Sequence, residues 1–159
     1  MEESMIRLER FNLNDASAYL KVSKDADVKK FFRLAYCETL EEAQDLMGLC
    51  VNSCNYEAFK ILDEQDEIVG MILGEKKPKK VMEVSYFVSA KMRRKGYCKE
   101  AICEFAKYIV ENTRYKELEF CVRHKNKPSK AFLEKKLKMK PMYMTKDFIH
   151  YKQKASMFN

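Results

Sequence analysis

The fold of this chain is decided by a short junction that reads Arg93-Arg94-Lys95-Gly96-Tyr97-Cys98. Residues 81–88 before it form a strand-like run, and residues 97–110 after it carry apolar side chains at helical spacing. Gly96 is one of four glycines in the chain, and glycine permits a sharp turn and the close approach of another group. The unpaired N–H groups and the positive dipole end of the following helix point into that turn. With three basic residues beside it, the junction predicts a site for a phosphate or pyrophosphate group.

The bulk composition narrows the classes of partner. A chain of 159 residues fits one domain, residues 1–159, with a full hydrophobic core. The net charge of +7 favours acidic partners, among them nucleotide phosphates, nucleic acid and a membrane surface. The lysines lie in short clusters, without a long basic arm or an aromatic-rich basic motif, and no apolar stretch is long enough to span a bilayer. We therefore expect neither a nucleic-acid nor a membrane partner.

The six cysteines lie mostly inside apolar patterns. The chain begins with the acidic stretch Met1-Glu2-Glu3, without an apolar signal segment, and the interpretation is a reduced, cytoplasmic protein. Cys50 and Cys54 are expected to share a helix face, but no second pair or nearby histidine completes a zinc-ligand set. The sequence therefore predicts no metal site.

The remaining patterns give an order of elements. A strand near residues 5–10 precedes three helices, the second capped by Asp27 and the third opened by the capping box Thr39-Leu40-Glu41-Glu42. Further segments are then expected in this order: strands at 56–62, 68–73 and 81–88, the long helix, a strand at 117–122, a helix from Asn126 or Ser129 that Pro141 breaks, and strands at 142–144 and 148–152. This order predicts an α/β (α+β) single domain with a mixed, mostly antiparallel central sheet flanked by helices. Its one crossover lies at the junction.

On these residues the chain resembles the GNAT N-acetyltransferases. Their motif has Gln or Arg, two variable residues, Gly, one variable residue, and Gly or Ala, and here residues 93–98 fill those places. The resemblance is strongest to the branch related to the enzymes that acetylate ribosomal-protein N-termini, through residues 7–16, 40–43, 69–70 and 126–135. Two features depart from the family. Cys98 replaces the usual small residue, and residues 136–139 lack the Gly-Phe that usually closes the last helix.

The resemblance implies acetyl-CoA as the donor and a GNAT-like fold. The main-chain N–H groups of residues 94–98 would bind the pyrophosphate, the backbones of Phe87 and Val88 would pair with the pantetheine amides, and Asn126 would bond the pantetheine arm. The residues assigned to the cofactor are thus Phe87, Val88, Arg93, Arg94, Lys95, Gly96, Tyr97, Cys98, Asn126 and Ser129.

Chemistry requires an amine held against the thioester. Glu83 is the expected catalytic base, because Glu83, Ser85 and Phe87 share one strand face; the alternative is a glutamate that only faces solvent. Many relatives protonate the thiolate with a tyrosine where this chain has Leu133, so Ser129 is the second catalytic candidate, unless it only caps its helix. Cys98 begins a helix, where a thiol pKa tends to fall, but direct transfer fits the family better than an acyl-cysteine.

The function that follows is transfer of an acetyl group from acetyl-CoA to a primary amine by direct attack in a ternary complex. The acceptor stays open between a small molecule and a protein N-terminus, and the oligomeric state between monomer and homodimer. The alternative is a non-catalytic acyl-CoA-binding sensor or partner module.

Overall fold

The computed structural model describes residues 5–93 and 95–158, and they form one seven-stranded sheet with helices on both faces. The strands are β1 (Arg7–Arg10), β2 (Tyr56–Leu62), β3 (Ile68–Lys77), β4 (Val81–Val88), β5 (Glu117–Arg123), β6 (Pro141–Met144) and β7 (Phe148–Lys154). The helices are α1 (Ala16–Ser23), α2 (Ala26–Phe31), α3 (Leu40–Asn52), α4 (Tyr97–Asn112) and α5 (Lys127–Ala131), the last extended by a π-helical turn over Phe132–Lys136.

The sheet has the strand order β1-β2-β3-β4-β5-β7-β6. Every neighbouring pair is antiparallel except β4 and β5, which are parallel and joined by α4. A parallel pair needs such a crossover, because its strands run in the same direction. The predicted fold class, the mostly antiparallel sheet and the single crossover at the junction are confirmed.

Each face of the sheet has its own hydrophobic core. Met82, Val84, Tyr86 and Val88 of β4 pack with the buried face of α4. Phe87 points the other way and packs with Tyr19 of α1, Met47 of α3 and Met71 of β3. This alternation follows from the two-residue period of a strand, so β4 contributes side chains to both hydrophobic cores.

Several helix and strand boundaries differ from the prediction. Asp25, not Asp27, caps α2, because its carboxylate accepts hydrogen bonds from the N–H groups of Asp27 and Val28. Strand β3 continues to Lys77 because β4 pairs with it from Gly70 to Lys77. Cys54 lies beyond the end of α3 and is exposed, so it does not share a helix face with Cys50.

The last helix also ends differently from the prediction. Its π-helical turn closes with a hydrogen bond from the N–H of Leu137 to the carbonyl of Phe132, five residues back, and so stops before Pro141. Lys138 then takes the left-handed conformation, with φ of 56°, where relatives are expected to have glycine. The chain thus turns there without glycine, at the conformational cost that a side chain adds in this region.

Candidate active site

Strands β4 and β5 are paired at one end and separate at the other, and we call the opening between them the fork. They pair only through Val81 with Glu117, Met82 with Leu118, and Glu83 with Glu119, whereas β3 continues to pair with β4 as far as Val88. Within the described residues, the edge of β4 beyond Glu83 therefore has no neighbouring strand on the β5 side. Such an edge offers N–H and C=O groups to an added extended ligand. The predicted backbone ligands Phe87 and Val88 lie on this open arm.

The N-terminus of α4 lies just beyond the end of β4. Gly96 is its N-cap residue in the left-handed conformation, with φ of 82°, which only glycine adopts without strain. A Cβ atom added at Gly96 would meet no heavy atom within 4 Å, so open space lies beside it. Since the first N–H groups of a helix have no partner within it, the backbone N–H groups of Tyr97 and Cys98 are directed toward that space. Lys95 beside them is exposed.

The structure corrects the expected role of the Arg93 side chain. Its guanidinium donates to Asp25 at 3.1 Å and to Asp27 at 2.9 Å, so it is bound to the start of α2 instead of adding free charge to the turn. Asp25 is partly desolvated, yet the Arg93 guanidinium and the backbone N–H groups of Val28 and Asp27 hold its pKa below the ordinary value. Arg94, the next predicted cofactor residue, lies outside the described residues.

A cavity of about 150 Å³ lies at the mouth of the fork, between β4, β5, α5 and the segment after α2. Most of its lining side chains are apolar, and several are aromatic. The lining includes the side chains of Arg33, Ser85, Tyr86, Phe87, Arg123, Asn126 and Ser129. The cavity therefore brings together three of the predicted site residues, Phe87 of β4 and Asn126 and Ser129 at the start of α5.

Asn126 and Ser129 have different roles at the start of α5. Asn126, 6% exposed, is the N-cap residue, and its side-chain carbonyl accepts the N–H of Ser129 at 3.3 Å. Asn126, and not Ser129, therefore caps α5, so the alternative role of Ser129 as a helix cap is not observed. The Ser129 hydroxyl lies at the cavity wall, and the amide group of Asn126 carries the N–H donors that a pantetheine carbonyl would need.

Glu83 lies at the base of the fork, one residue before the cavity lining begins. It stands opposite Glu75 on β3 and Glu119 on β5, and its carboxylate is 3.5 Å from the Lys77 ammonium group. About a third of the side chain, 32%, is exposed. Carboxylates side by side on neighbouring strands repel one another, and Lys77, which also lies 2.8 Å from Glu75, reduces that repulsion. The shared face of Glu83, Ser85 and Phe87 agrees with the prediction.

The Cys98 thiol does not show the lowered pKa that is typical of the start of a helix. Burial of the Cys98 thiol raises its pKa to about 12, although a helix N-terminus usually lowers a thiol pKa. Its side chain packs against the α4-side core, and desolvation there outweighs the lowering effect of the nearby Arg93 charge. A neutral thiol is a poor nucleophile, and an acyl-cysteine intermediate therefore finds no support at this position.

Sequence reasoning did not identify Tyr86 as a site residue. Its hydroxyl is buried and has no hydrogen-bond partner among the described residues, and it lines the cavity. In the sequence it is an ordinary apolar position in an alternating strand. Only the divergence of β5 from β4, a long-range feature, shows that this position faces an opening.

The family profile of the acetyltransferase (GNAT) domain matches residues 6–137, which is most of the chain. The chain belongs to the GNAT acetyltransferase family. No curated protein sequence matches this GNAT protein, whereas many solved structures share its fold. Within the described residues, no helix is long and apolar enough to cross a membrane.

Three solved structures illustrate the likeness in fold. A GNAT-family acetyltransferase from Bacillus anthracis superposes with a TM-score of 0.83 at 19% identity, covering 98% of both chains. The spermidine N-acetyltransferase of Vibrio cholerae, solved with CoA and spermine, gives 0.81 at 13% identity over 98% of this chain and 99% of that one. The ribosomal-protein-S5-alanine acetyltransferase of Vibrio fischeri gives 0.76 at 14% identity over 100% and 98%. At such identities the likeness concerns the fold, and it includes the ribosomal-protein acetyltransferases that the sequence resembles.

Proposed function

We propose that this GNAT protein transfers an acetyl group from acetyl-CoA to a primary amine by direct attack in a ternary complex. The observation that supports the proposal most is the fork between β4 and β5, which opens next to a glycine-capped helix N-terminus. This arrangement offers a strand edge to an extended amide chain and backbone N–H groups to a diphosphate. Acetyl-CoA contains both groups in one molecule.

The donor would bind along the open arm of β4. Its pyrophosphate would accept hydrogen bonds from the N–H groups of Tyr97 and Cys98, next to the positive charge of Lys95 and the space beside Gly96. Its pantetheine would add to the edge near Phe87 and Val88 as an extra strand, with Asn126 bonding an amide. The thioester would then reach the cavity, where a backbone N–H near Val88 would stabilise the oxyanion that forms on attack.

The acceptor amine would approach from the face that carries Glu83. An amine must lose a proton to attack and to leave a neutral amide, and a nearby carboxylate can accept it. Because Glu83 lies just outside the cavity lining, we propose that the proton reaches it through one water molecule. Glu119, its neighbour on β5, would attract the ammonium form of the acceptor, whereas Glu75 is paired with Lys77 at 2.8 Å.

Charges in the cavity bear on the class of acceptor. Its described lining includes Arg33 and Arg123 and no carboxylate, so additional positive charges on the acceptor would be repelled there. We therefore favour a single amine on an uncharged or acidic molecule, as at a peptide N-terminus, over a polyamine. The spermidine enzyme of similar fold makes polyamines the natural comparison.

The alternative, a non-catalytic acyl-CoA-binding module, has one observation in its favour. Leu133, where many relatives are expected to have a proton-donating tyrosine, is apolar and fully buried at 0% exposure. Such a module would bind acetyl-CoA without releasing CoA.

The test combines turnover with donor binding. The protein is incubated with acetyl-CoA and a panel of peptide N-termini, small amines and polyamines, with free CoA followed by a thiol reagent and acetylated products by mass spectrometry. Glu83→Gln should lose turnover and keep its affinity for acetyl-CoA in calorimetry. Glu75→Gln removes the same charge from the neighbouring strand and should lose much less. Donor binding without CoA release across the panel would refute the catalytic proposal.

A further inference from the structure

The hydroxyl group of Tyr86 is an anomaly within the described core. The residue is 8% exposed, and its oxygen is buried without a hydrogen-bond partner in the described part of the chain. Nearly all buried polar side-chain atoms in proteins are hydrogen-bonded, because an unpaired one loses its bonds to water without replacement. A phenol that stays unpaired while lining a cavity therefore indicates a partner that arrives with a ligand.

Three aromatic rings hold the side chain in place. The ring of Tyr86 lies 6.1 Å from that of Phe32, 5.9 Å from that of Phe120 and 5.8 Å from that of Phe132, measured between centroids. These neighbours come from three different elements, α2, β5 and the turn after α5, and edge-on or tilted contacts of this kind are favourable. The hydroxyl therefore cannot swing to solvent, and it is preorganised at one point of the fork.

Tyr86 connects the two parts of the proposed donor site. It lines the same cavity as Asn126 and Ser129 at the start of α5, and it belongs to the hydrophobic core against which Cys98 of α4 packs. Ser129 is close enough to oppose in part the rise of the pKa of Tyr86, but the two oxygens do not meet hydrogen-bond geometry. A thioester that enters between α4 and α5 along β4 would bring its sulfur atom to this place.

Resting on the proposed function, we propose that Tyr86 is a catalytic hydrogen-bond donor to the sulfur of the acetyl-CoA thioester. As the amine attacks, the tetrahedral intermediate collapses, the carbon–sulfur bond breaks and its electron pair stays on sulfur. The O–H group of Tyr86 bonds to the resulting thiolate without losing its proton. The thiolate takes its proton from water after it leaves the fork, and the amine's proton goes to Glu83 and from there to solvent.

The chemistry of the site favours donation over proton transfer. Burial raises the pKa of Tyr86 well above its ordinary value, so the phenol stays neutral throughout the working pH range and would be a weak acid toward a thiolate. A neutral donor to a charged acceptor nevertheless forms a strong hydrogen bond. It stabilises charge that develops only during the reaction, which is what accelerates a chemical step. Leu133, on the last helix, has no group that could donate a hydrogen bond to the thiolate.

The first test is Tyr86→Phe, which removes the hydroxyl and keeps the ring. We expect kcat to fall about 10²-fold, the effect of losing one preorganised donor to a developing charge, with little change in KM for acetyl-CoA. The variant should unfold at the same or a higher temperature, because it loses an unpaired buried group. The matched control is Tyr151→Phe, whose buried hydroxyl already bonds Glu134; it should lose stability and keep its kcat.

A second readout does not depend on turnover. The thiol of bound CoA is titrated through its ultraviolet thiolate absorbance in the wild type and in Tyr86→Phe. A donor from Tyr86 lowers the pKa of that thiol, so the variant should show the higher value. An unchanged kcat together with an unchanged thiol pKa would overturn the role of Tyr86 while leaving the acetyltransferase proposal in place. Failure of the wild type to bind CoA or acetyl-CoA would instead overturn the proposed function.

Discussion

The replacement Gly96→Ala tests the proposed diphosphate site with a single methyl group. Gly96 is left-handed, with φ of 82°, and an added Cβ meets no heavy atom within 4 Å. The fold therefore loses only the backbone preference, about 1–2 kcal/mol for a non-glycine residue in this region. At about 2–4 °C per kcal/mol for a domain of this size, the melting temperature should fall by only a few degrees.

The donor should be affected more strongly than the fold. The methyl group occupies the space in which we place the pyrophosphate, and relief of the backbone strain would turn the N–H groups of Tyr97 and Cys98 away from it. A hydrogen bond to a charged group contributes about 1.5–3 kcal/mol. Loss of one such bond therefore predicts an increase of the Kd for CoA of about 10- to 100-fold.

The measurement is calorimetric titration of CoA together with thermal unfolding of the free protein. Gly48→Ala is the matched control, because it makes the same chemical change inside α3, where a Cβ also meets nothing. It should stabilise the protein by roughly 0.5–1 kcal/mol and leave CoA binding unchanged. If Gly96→Ala also left the Kd unchanged, with its melting point lowered as expected, the diphosphate would bind elsewhere.

Three further predictions concern the acceptor face, the link to α2 and the thiol. Glu83→Gln should lower kcat by about 10²- to 10⁴-fold, as for a general base, and acetyl-CoA calorimetry should be unchanged; an active variant would exclude Glu83 as the base. Because Asp25 has a lowered pKa, its pairing with Arg93 stabilises the protein above the ordinary pKa of the carboxyl and is lost as the pH falls through the folded value. Arg93→Met should therefore flatten that acid limb in pH-dependent melting, and an identical limb would contradict the pairing. With its thiol pKa raised to about 12, Cys98 should resist alkylation at neutral pH, and mass spectrometry showing its rapid labelling in folded protein would contradict the burial.

Much of the fold was predictable because its signals are local. The strand at residues 81–88, the apolar stripe of α4 and the capping box at Thr39 each depend on residues within a few positions of one another, and all three are confirmed. The family motif placed Gly96 correctly at the start of α4. These features need no knowledge of the tertiary structure.

The remaining features depend on distant contacts that a sequence does not display. Arg93 was expected to serve the anion site, but its partners Asp25 and Asp27 lie 68 and 66 residues away. The pKa of Cys98 is raised and not lowered, because packing against the core removes the thiol from water. Tyr86 was overlooked because its significance arises only where β5 leaves β4. In each case tertiary surroundings override a rule that holds for the isolated segment.

The short pairing of β4 with β5 has a consequence for how the molecule moves. Strands β5, β7 and β6 join the rest of the sheet through only three backbone residue pairs, although side chains of β4 and β5 share one hydrophobic core. We expect local opening of the sheet to begin where β4 and β5 pair, and the backbone amides of these pairs to exchange hydrogen early. A ligand bound in the fork between β4 and β5 would contact both parts of the sheet and stabilise their arrangement. The free energy needed to open this domain would then increase with the concentration of acetyl-CoA.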